Sequence, residues 1–327
     1  MTGDLRRFGY TPREAGFLML AGLQSGYFLR SQFHAHIERE CGALGQRFID
    51  RALRLGHIRA LPGFGNQRLY HVCARELYRQ IGEPENRNRR LHAPETVRQR
   101  LMTLDYVLAR SGEHYLSTAE TRRETISRLV LRNSVDVDAR LFDELLADRQ
   151  PISLDATGGI RLGFVDDGVH GFSKWERFLR HRRPLLRAGG AATVAYASCS
   201  ATRFRNAETV FRKMVGEHAG NGGVDRERIK GHFTDRRLFD ERRFESFDKT
   251  RLDRLRDDQR TFAGEVFEDL YRRWRHDGDA ALAGFVVTTA RFETLLLASA
   301  YTWLAPIRFQ ERRVHRGPDS GTDQEGS

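Results

Sequence analysis

Two short alternating runs, His57-Ile58-Arg59-Ala60-Leu61 and Gln67-Arg68-Leu69-Tyr70-His71-Val72, flank Pro62-Gly63-Phe64-Gly65-Asn66 and follow three helix-length segments. Period-two alternation around a glycine-rich turn reads as a β-hairpin. A hairpin this short cannot hold itself together in water, so it must pack on what precedes it. Upstream, Thr11-Pro12-Arg13-Glu14 has the form of a capping box with proline in the first turn, opening a helix through Phe17, Leu18, Leu20, Ala21 and Leu23 to Ser25-Gly26. The apolar stretch Tyr27-Phe28-Leu29 leads to Ser31, the expected cap of a second helix presenting Phe33 and Ile37. After Cys41-Gly42 a third helix is expected from Ala43 to Leu55, with Leu44, Phe48, Ala52 and Leu55 facing the core. Three helices followed by a hairpin is the order of a winged helix-turn-helix, expected over residues 1–83.

Charge points to a partner for this unit. The chain carries a formal net charge of +11, and residues 1–90 hold fifteen arginines against eight carboxylates. Most of the basic surplus therefore lies in about a quarter of the chain, as expected for a protein that meets a polyanion. Nearly all the cations are arginine, with lysine only at Lys174, Lys213, Lys230 and Lys249. Arginine forks match phosphates and guanine edges, although a GC-rich genome also favours arginine. On the third helix Gln46, Arg47, Asp50, Arg51 and Arg54 share the outer side, and Arg47, Arg51 and Arg54 follow one another at helical spacing. Arg59, Asn66 and Arg68 frame the hairpin. These eight residues are the expected contacts to double-stranded DNA, because the major groove admits one helix while the ribbon beside it follows the backbone.

Ala74 to Ile81 reads as a fourth helix, and Pro84-Glu85-Asn86-Arg87-Asn88-Arg89-Arg90, lacking apolar periodicity, marks a linker over 84–92. The remainder, 93–315, reads as a second, α/β domain with long C-terminal helices. Its expected elements are a helix over Pro94 to Ala109, a strand at His114 to Leu116, a capping box at Ser117-Thr118-Ala119-Glu120 and a helix from Ala139 to Ala147. Strands follow at Pro151 to Leu154, Ile160 to Val165 and Ala192 to Ala197, with helices at Phe172 to Leu186 and Arg203 to Val215. Alternation of this kind implies a small α/β layer. Helical periodicity runs from Arg251 to Arg275, further apolar segments cover Ala281 to Val287 and Phe292 to Phe309, and 316–327 has the composition of a disordered tail. The fold class expected is mixed α+β and helix-rich.

The winged-helix pattern, Leu104-Asp105-Tyr106-Val107-Leu108-Ala109, Tyr115-Leu116-Ser117-Thr118, Phe164-Val165-Asp166-Asp167-Gly168 and His181-Arg182-Arg183-Pro184-Leu185-Leu186 together resemble the replication-relaxation family and related mobile-element proteins. The resemblance spans about residues 10 to 215. It implies an N-terminal winged helix joined to an α/β domain similar to a restriction endonuclease, and a plasmid or integrative-element role, without assigning a catalytic residue. A nuclease of that fold needs clustered carboxylates for Mg²⁺ and a lysine on adjacent strands. Asp166 and Asp167 stand at a strand end, but the Ala192 to Ala197 strand carries neither Glu nor Lys, and Lys174 and Glu176 occur in reversed order on the following helix. Asp166-Asp167-Gly168 therefore reads as a strand-ending turn, and the domain as a degenerate nuclease scaffold used for dimerisation or partner contact.

The reading is a non-enzymatic regulator or replication or transfer accessory factor that binds duplex DNA, with a homodimer as its assembly. The alternatives are a metal-dependent nuclease and an adaptor for an acidic protein. No cofactor, metal or small-molecule substrate is expected. Three cysteines, Cys41, Cys73 and Cys199, are too few and scattered for a disulfide framework, and His34, His36, Cys41 and Cys73 match no standard zinc spacing. No apolar run approaches the roughly 20 residues of a membrane span, and the N-terminus has no signal-peptide pattern, so the cytoplasm is the expected compartment.

Overall fold

The structure is a computed structural model that describes residues 4–40, 42–62, 68–132, 142–144, 146, 150–169, 171–188, 192–215, 226–262, 265–283 and 290–304. It is mixed α+β and helix-rich, with two small sheets.

The N-terminal elements are α1 (Pro12–Gln24), β1 (Tyr27–Leu29), α2 (Arg30–His36), α3 (Ala43–Arg54), β2 (Ile58–Leu61), β3 (Leu69–Val72) and α4 (Arg75–Gln80). Thr11 and Glu14 form both arms of the expected capping box at the head of α1. The second helix starts two residues early, at Arg30 with Leu29 in the cap position, and Gln32 rather than Ser31 ties its entry by accepting from the Leu29 amide at 3.0 Å. The two hairpin strands pair antiparallel as expected, Ile58 opposite Val72 and Leu61 opposite Leu69, while the turn residues 63–67 lie outside the described residues. Tyr27–Leu29 joins them as a third strand, giving the order β1-β3-β2.

This sheet is buried on both faces. Phe28, Tyr70, Ile58 and Val72 enter the core formed by α1 to α4 with Phe17, Phe33, Phe48 and Ile49. The alternate residues Tyr27, Leu29 and Leu69 enter a second core with Val97, Leu101, Met102, Tyr106 and Val107 of α5 (Pro94–Leu108). Strand alternation thus sends one set of side chains to the helices and the other to α5.

Downstream, a five-stranded sheet runs in the order β4-β5-β6-β7-β8, built from His114–Tyr115, Ile152–Leu154, Ile160–Asp166, Thr193–Ser198 and Arg291–Leu296. Its first three strands are antiparallel, its last three parallel. The α/β alternation expected over 150–215 is present, and β8, on a stretch read only as apolar surface, completes the sheet. One face is covered by α6 (Ala119–Arg132), α7 (Ser173–Ala188) and α8 (Phe204–Val215) around Trp175, Phe164, Tyr196 and Phe211. The other face, through Val165, Ala195 and Ala197, lies in the same core as α5. Tyr106 lies so close over β6 that a Cβ at Gly163 would stand 2.8 Å from its ring. The helix cap after β4 is a reciprocal pair between Thr118 and Thr121, not the expected Ser117 and Glu120. Helices α9 (Arg226–Asp240), α10 (Lys249–Thr261) and α11 (Glu265–Asp277) form a unit with its own core of Ile229, Phe233, Phe262, Phe267, Leu270 and Trp274. The long periodicity of 251–275 is therefore shared by two helices. Most of the expected 139–147 helix, the 284–289 stretch and 305–327, including the tail, fall outside the described residues.

The stretch read as a linker, 84–92, is packed in place. Its turn Arg87–Arg89 carries buried Asn88, whose Nδ2 donates to the carbonyls of Gly22 at 2.8 Å and Leu23 at 3.0 Å. Its Oδ1 accepts from buried Arg100 at 2.7 Å, and its carbonyl accepts from the His71 ring at 3.0 Å. A polar network on the far side makes the same connection. Gln32 of α2 donates to Asp105 of α5 at 2.6 Å, and Tyr301 donates to the other carboxylate oxygen at 2.6 Å. Burial raises the Asp105 carboxyl above its ordinary value against these two hydrogen bonds.

Burial holds His71 down at about 4, opposed by its bond to the Asn88 carbonyl and reinforced by Arg59, His92 and Arg100. Its ring also stacks on Tyr27. As pH falls the unfolded chain takes up this proton first, so the contribution to stability is complete above about 6.5 and lost toward pH 4, amounting to about 3 kcal/mol. His71→Gln should flatten the pH dependence of urea unfolding as pH falls from about 6.5 toward 4. A variant as acid-sensitive as the parent would assign the effect elsewhere.

Candidate nucleic-acid interface

Helix α3 rests against α2 at one point of close approach. A Cβ at Gly45 would stand 2.3 Å from Nε2 of buried His34, so the two helices cross where only a hydrogen fits. Alanine in a helix interior is ordinarily favoured over glycine by about 1 kcal/mol. Here Gly45→Ala should instead lower stability by about 1–3 kcal/mol through overpacking, measured as a shift in the denaturation midpoint. A gain in stability would show that His34 yields without strain.

This contact rotates α3 relative to the sequence expectation. Gly45, Phe48, Ile49 and Ala52 are buried, whereas Leu44 and Leu55, expected in the core, are 43% and 41% exposed. Gln46, Arg47, Asp50 and Arg54 lie on the exposed side as expected. Gln46 donates to Asp50 at 2.7 Å, one turn on. Arg47 and Arg54 have no carboxylate partner among the described residues.

Arg51 is placed differently. Its Nη1 donates to the Gly9 carbonyl at 2.7 Å and to Glu14 at 2.8 Å, and its guanidinium lies over the Tyr10 ring. It locks α3 to the start of α1, while the row of three arginines read from the sequence reduces to two outward cations. Arg59 is exposed but opposite His71 in the register, so it shares the sheet face that turns away from the helical core. Arg68 is exposed just before β3, and together with Arg30 and Asp50 it acts on the buried Tyr70 hydroxyl, whose pKa is raised chiefly by burial. Asn66 lies outside the described residues.

Arg30, which the sequence reading did not select, belongs to this surface. From the first turn of α2 it donates to Gln46 at 3.3 Å and to the His34 ring at 3.4 Å. The signal for it is positional, since the first turn of the helix before α3 opens toward the same solvent. Burial lowers the pKa of His34, His36 and His57, so arginine carries the positive charge of this surface at neutral pH. A surface of Leu44, Gln46, Arg47 and Arg54, flanked by Arg30 and Arg68, offers an apolar contact, an amide and four guanidinium forks. Those are the groups that meet thymine methyls, adenine edges, guanine edges and phosphates.

The carboxylates at the end of β6 are engaged with arginines. Asp166 accepts from the Tyr196 hydroxyl and from Arg203, whose guanidinium also covers the Phe172 ring. Asp167 faces Arg98 at 3.7 Å. Two acids each turned to an arginine do not form the open carboxylate cluster that a divalent cation needs. His34, His36 and Cys73 do not converge, Cys41 is outside the described residues, and no group of three potential ligands occurs among the described residues. No helix among them is long and apolar enough to cross a membrane. Comparison of the chain with family models, with curated proteins and with solved structures finds no match.

Proposed function

We propose that residues 1–83 form a winged helix-turn-helix domain and that the protein binds double-stranded DNA, with α3 as the helix that enters the major groove. The observation that carries the reading is the pair Arg47 and Arg54. Both are exposed on the outer side of α3 and lack a carboxylate partner among the described residues, in a chain where arginines elsewhere are widely engaged with acids. The helix–strand–helix–helix–hairpin order supports it, as does the crossing of α2 and α3 at Gly45. The packed 84–92 turn makes the second unit a rigid extension of the DNA-binding unit, which suits a transcription regulator or a replication or transfer accessory factor of a mobile element.

A salt titration tests the reading. Duplex affinity should fall linearly with the logarithm of salt concentration, with a slope of about −0.9 for each phosphate neutralised. Absence of binding at low salt, or an affinity indifferent to salt, would refute it. Competition by heparin without duplex binding would point to an acidic protein as the partner.

A further inference from the structure

The turn between α9 and α10 carries an aromatic cluster at the surface. Phe239, in the last turn of α9, and Phe244, in the short 3-10 turn that follows, are 41% and 53% exposed. Phe239 meets the Phe244 ring edge-on at 5.5 Å between centroids and that of half-buried Phe247 at 6.1 Å. The other exposed large apolar side chains among the described residues are aliphatic and scattered along the chain. Single apolar side chains at a surface are ordinary, whereas adjoining rings framed by charge mark a surface that meets a partner.

The cluster is held in a fixed shape. The amides of Arg242 and Arg243 donate back to the carbonyls of Phe239 at 3.0 Å and Leu238 at 2.9 Å, which closes α9 in a Schellman turn. Arg242 takes the left-handed position of that turn, at φ 58°, where glycine is the usual residue. Arg251 covers the Phe247 ring and donates to the Ser246 carbonyl at 2.8 Å, and Asp248 caps α10 by accepting from the Arg251 amide at 2.7 Å. A surface ordered in advance loses little freedom when it is covered.

The charges around the rings select the partner. Glu241, Arg242, Arg243 and Glu245 are all exposed. Glu241 and Arg242 have no ion-pair partner among the described residues, and Arg243 approaches Glu245 only to 3.9 Å. Two acids and two arginines cancel, whereas a nucleic acid or an anionic lipid surface calls for an excess of cations. A balanced patch is complementary to itself: across a two-fold axis each arginine can face an acid of the other copy while the rings meet in the middle. We propose that this corner is an isologous interface with a second copy of the chain, with Phe244 at its centre and Glu241, Arg242, Arg243 and Glu245 at its rim. The interface stands on its own geometry and does not require α3 to contact DNA.

Sedimentation velocity of the full chain without DNA is the test. The parent should pass from monomer to dimer as its concentration rises, and Phe244→Ser should weaken the dimer by about tenfold or more. Phe244 lies in none of the buried cores, so this variant should unfold in urea as the parent does. Two charge variants make the test specific to a self-complementary patch. Glu241→Arg with Glu245→Arg leaves four cations at the rim, and Arg242→Glu with Arg243→Glu leaves four acids. Each should remain monomeric alone through repulsion between like patches, and an equimolar mixture should form a mixed dimer. The proposal is overturned if the parent stays monomeric up to about 100 μM, which would leave the rings to another segment of this chain or to a different protein. It is equally overturned if folded Phe244→Ser dimerises as the parent does, or if the two charge variants do not associate on mixing.

Discussion

Replacing Arg47 and Arg54 together with alanine is expected to weaken duplex DNA binding by about two to three orders of magnitude while leaving the fold intact. Each side chain that contacts a base edge contributes roughly 1–3 kcal/mol of discrimination, and each phosphate contact lowers the salt slope by about one. Neither guanidinium has a carboxylate to abandon among the described residues, so unfolding free energy should stay within about 0.5 kcal/mol of the parent. Arg51→Ala supplies the contrast. It removes hydrogen bonds to Gly9 and Glu14, leaves a partly buried carboxylate unpaired, and should cost about 1–3 kcal/mol of stability with a smaller effect on DNA. Anisotropy titrations against specific and scrambled duplexes, with urea unfolding in parallel, separate the outcomes. Loss confined to specific duplexes assigns base contact, and equal loss on all duplexes assigns phosphate contact. If Arg51→Ala abolished binding in a folded protein while the double variant bound normally, the assignment of the outer face of α3 would be wrong.

Asn88→Ala should be the most destabilising of the polar substitutions, by about 3–5 kcal/mol, because it removes this acceptor from buried Arg100 and the Asn88 amide from the Gly22 and Leu23 carbonyls, of which Gly22 keeps only the Tyr78 hydroxyl. Asn88→Asp keeps an oxygen for Arg100 but loses the donors to Gly22 and Leu23, so its effect should be intermediate. The readout is the denaturation midpoint together with cooperativity. Since α5, to which Asn88 is tied through Arg100, shares a core with both sheets, unfolding should remain a single transition in the parent and separate into two in the variant. A neutral Asn88→Ala would mean that 84–92 behaves as the loose connector its composition suggests.

Much of the local structure was legible. Thr11 and Glu14 announce α1 because capping uses only residues three apart, and the alternation of 58–61 and 69–72 announces a strand pair because pleating imposes a period of two. The error on α3 has a specific cause. Leu44 and Leu55 share helical periodicity with Phe48 and Ala52, yet the close contact between Gly45 and His34 turns the helix so that both leucines face solvent. Hydrophobic spacing locates a stripe only to within about a residue, and a glycine without a side chain contributes nothing to that pattern. Strand β1 was missed because three apolar residues show no alternation when both faces of a sheet are covered. Arg51 looked like its neighbours because an arginine engaged by Glu14 and one open to solvent have the same spacing.

The sequence by itself determined most of the helices, the β2–β3 pair, the α/β alternation over 150–215 and the concentration of arginine near the N-terminus. All of these follow from neighbours a few residues apart or from a simple count. Only the tertiary structure decided which arginines face outward, that Asp166 and Asp167 are turned to Arg203 and Arg98, and that the stretch read as a linker is tied to α1 and α5 through buried Asn88. Those outcomes depend on groups tens to hundreds of residues away competing for the same donors and the same buried space, and such competition leaves no periodic trace along the chain.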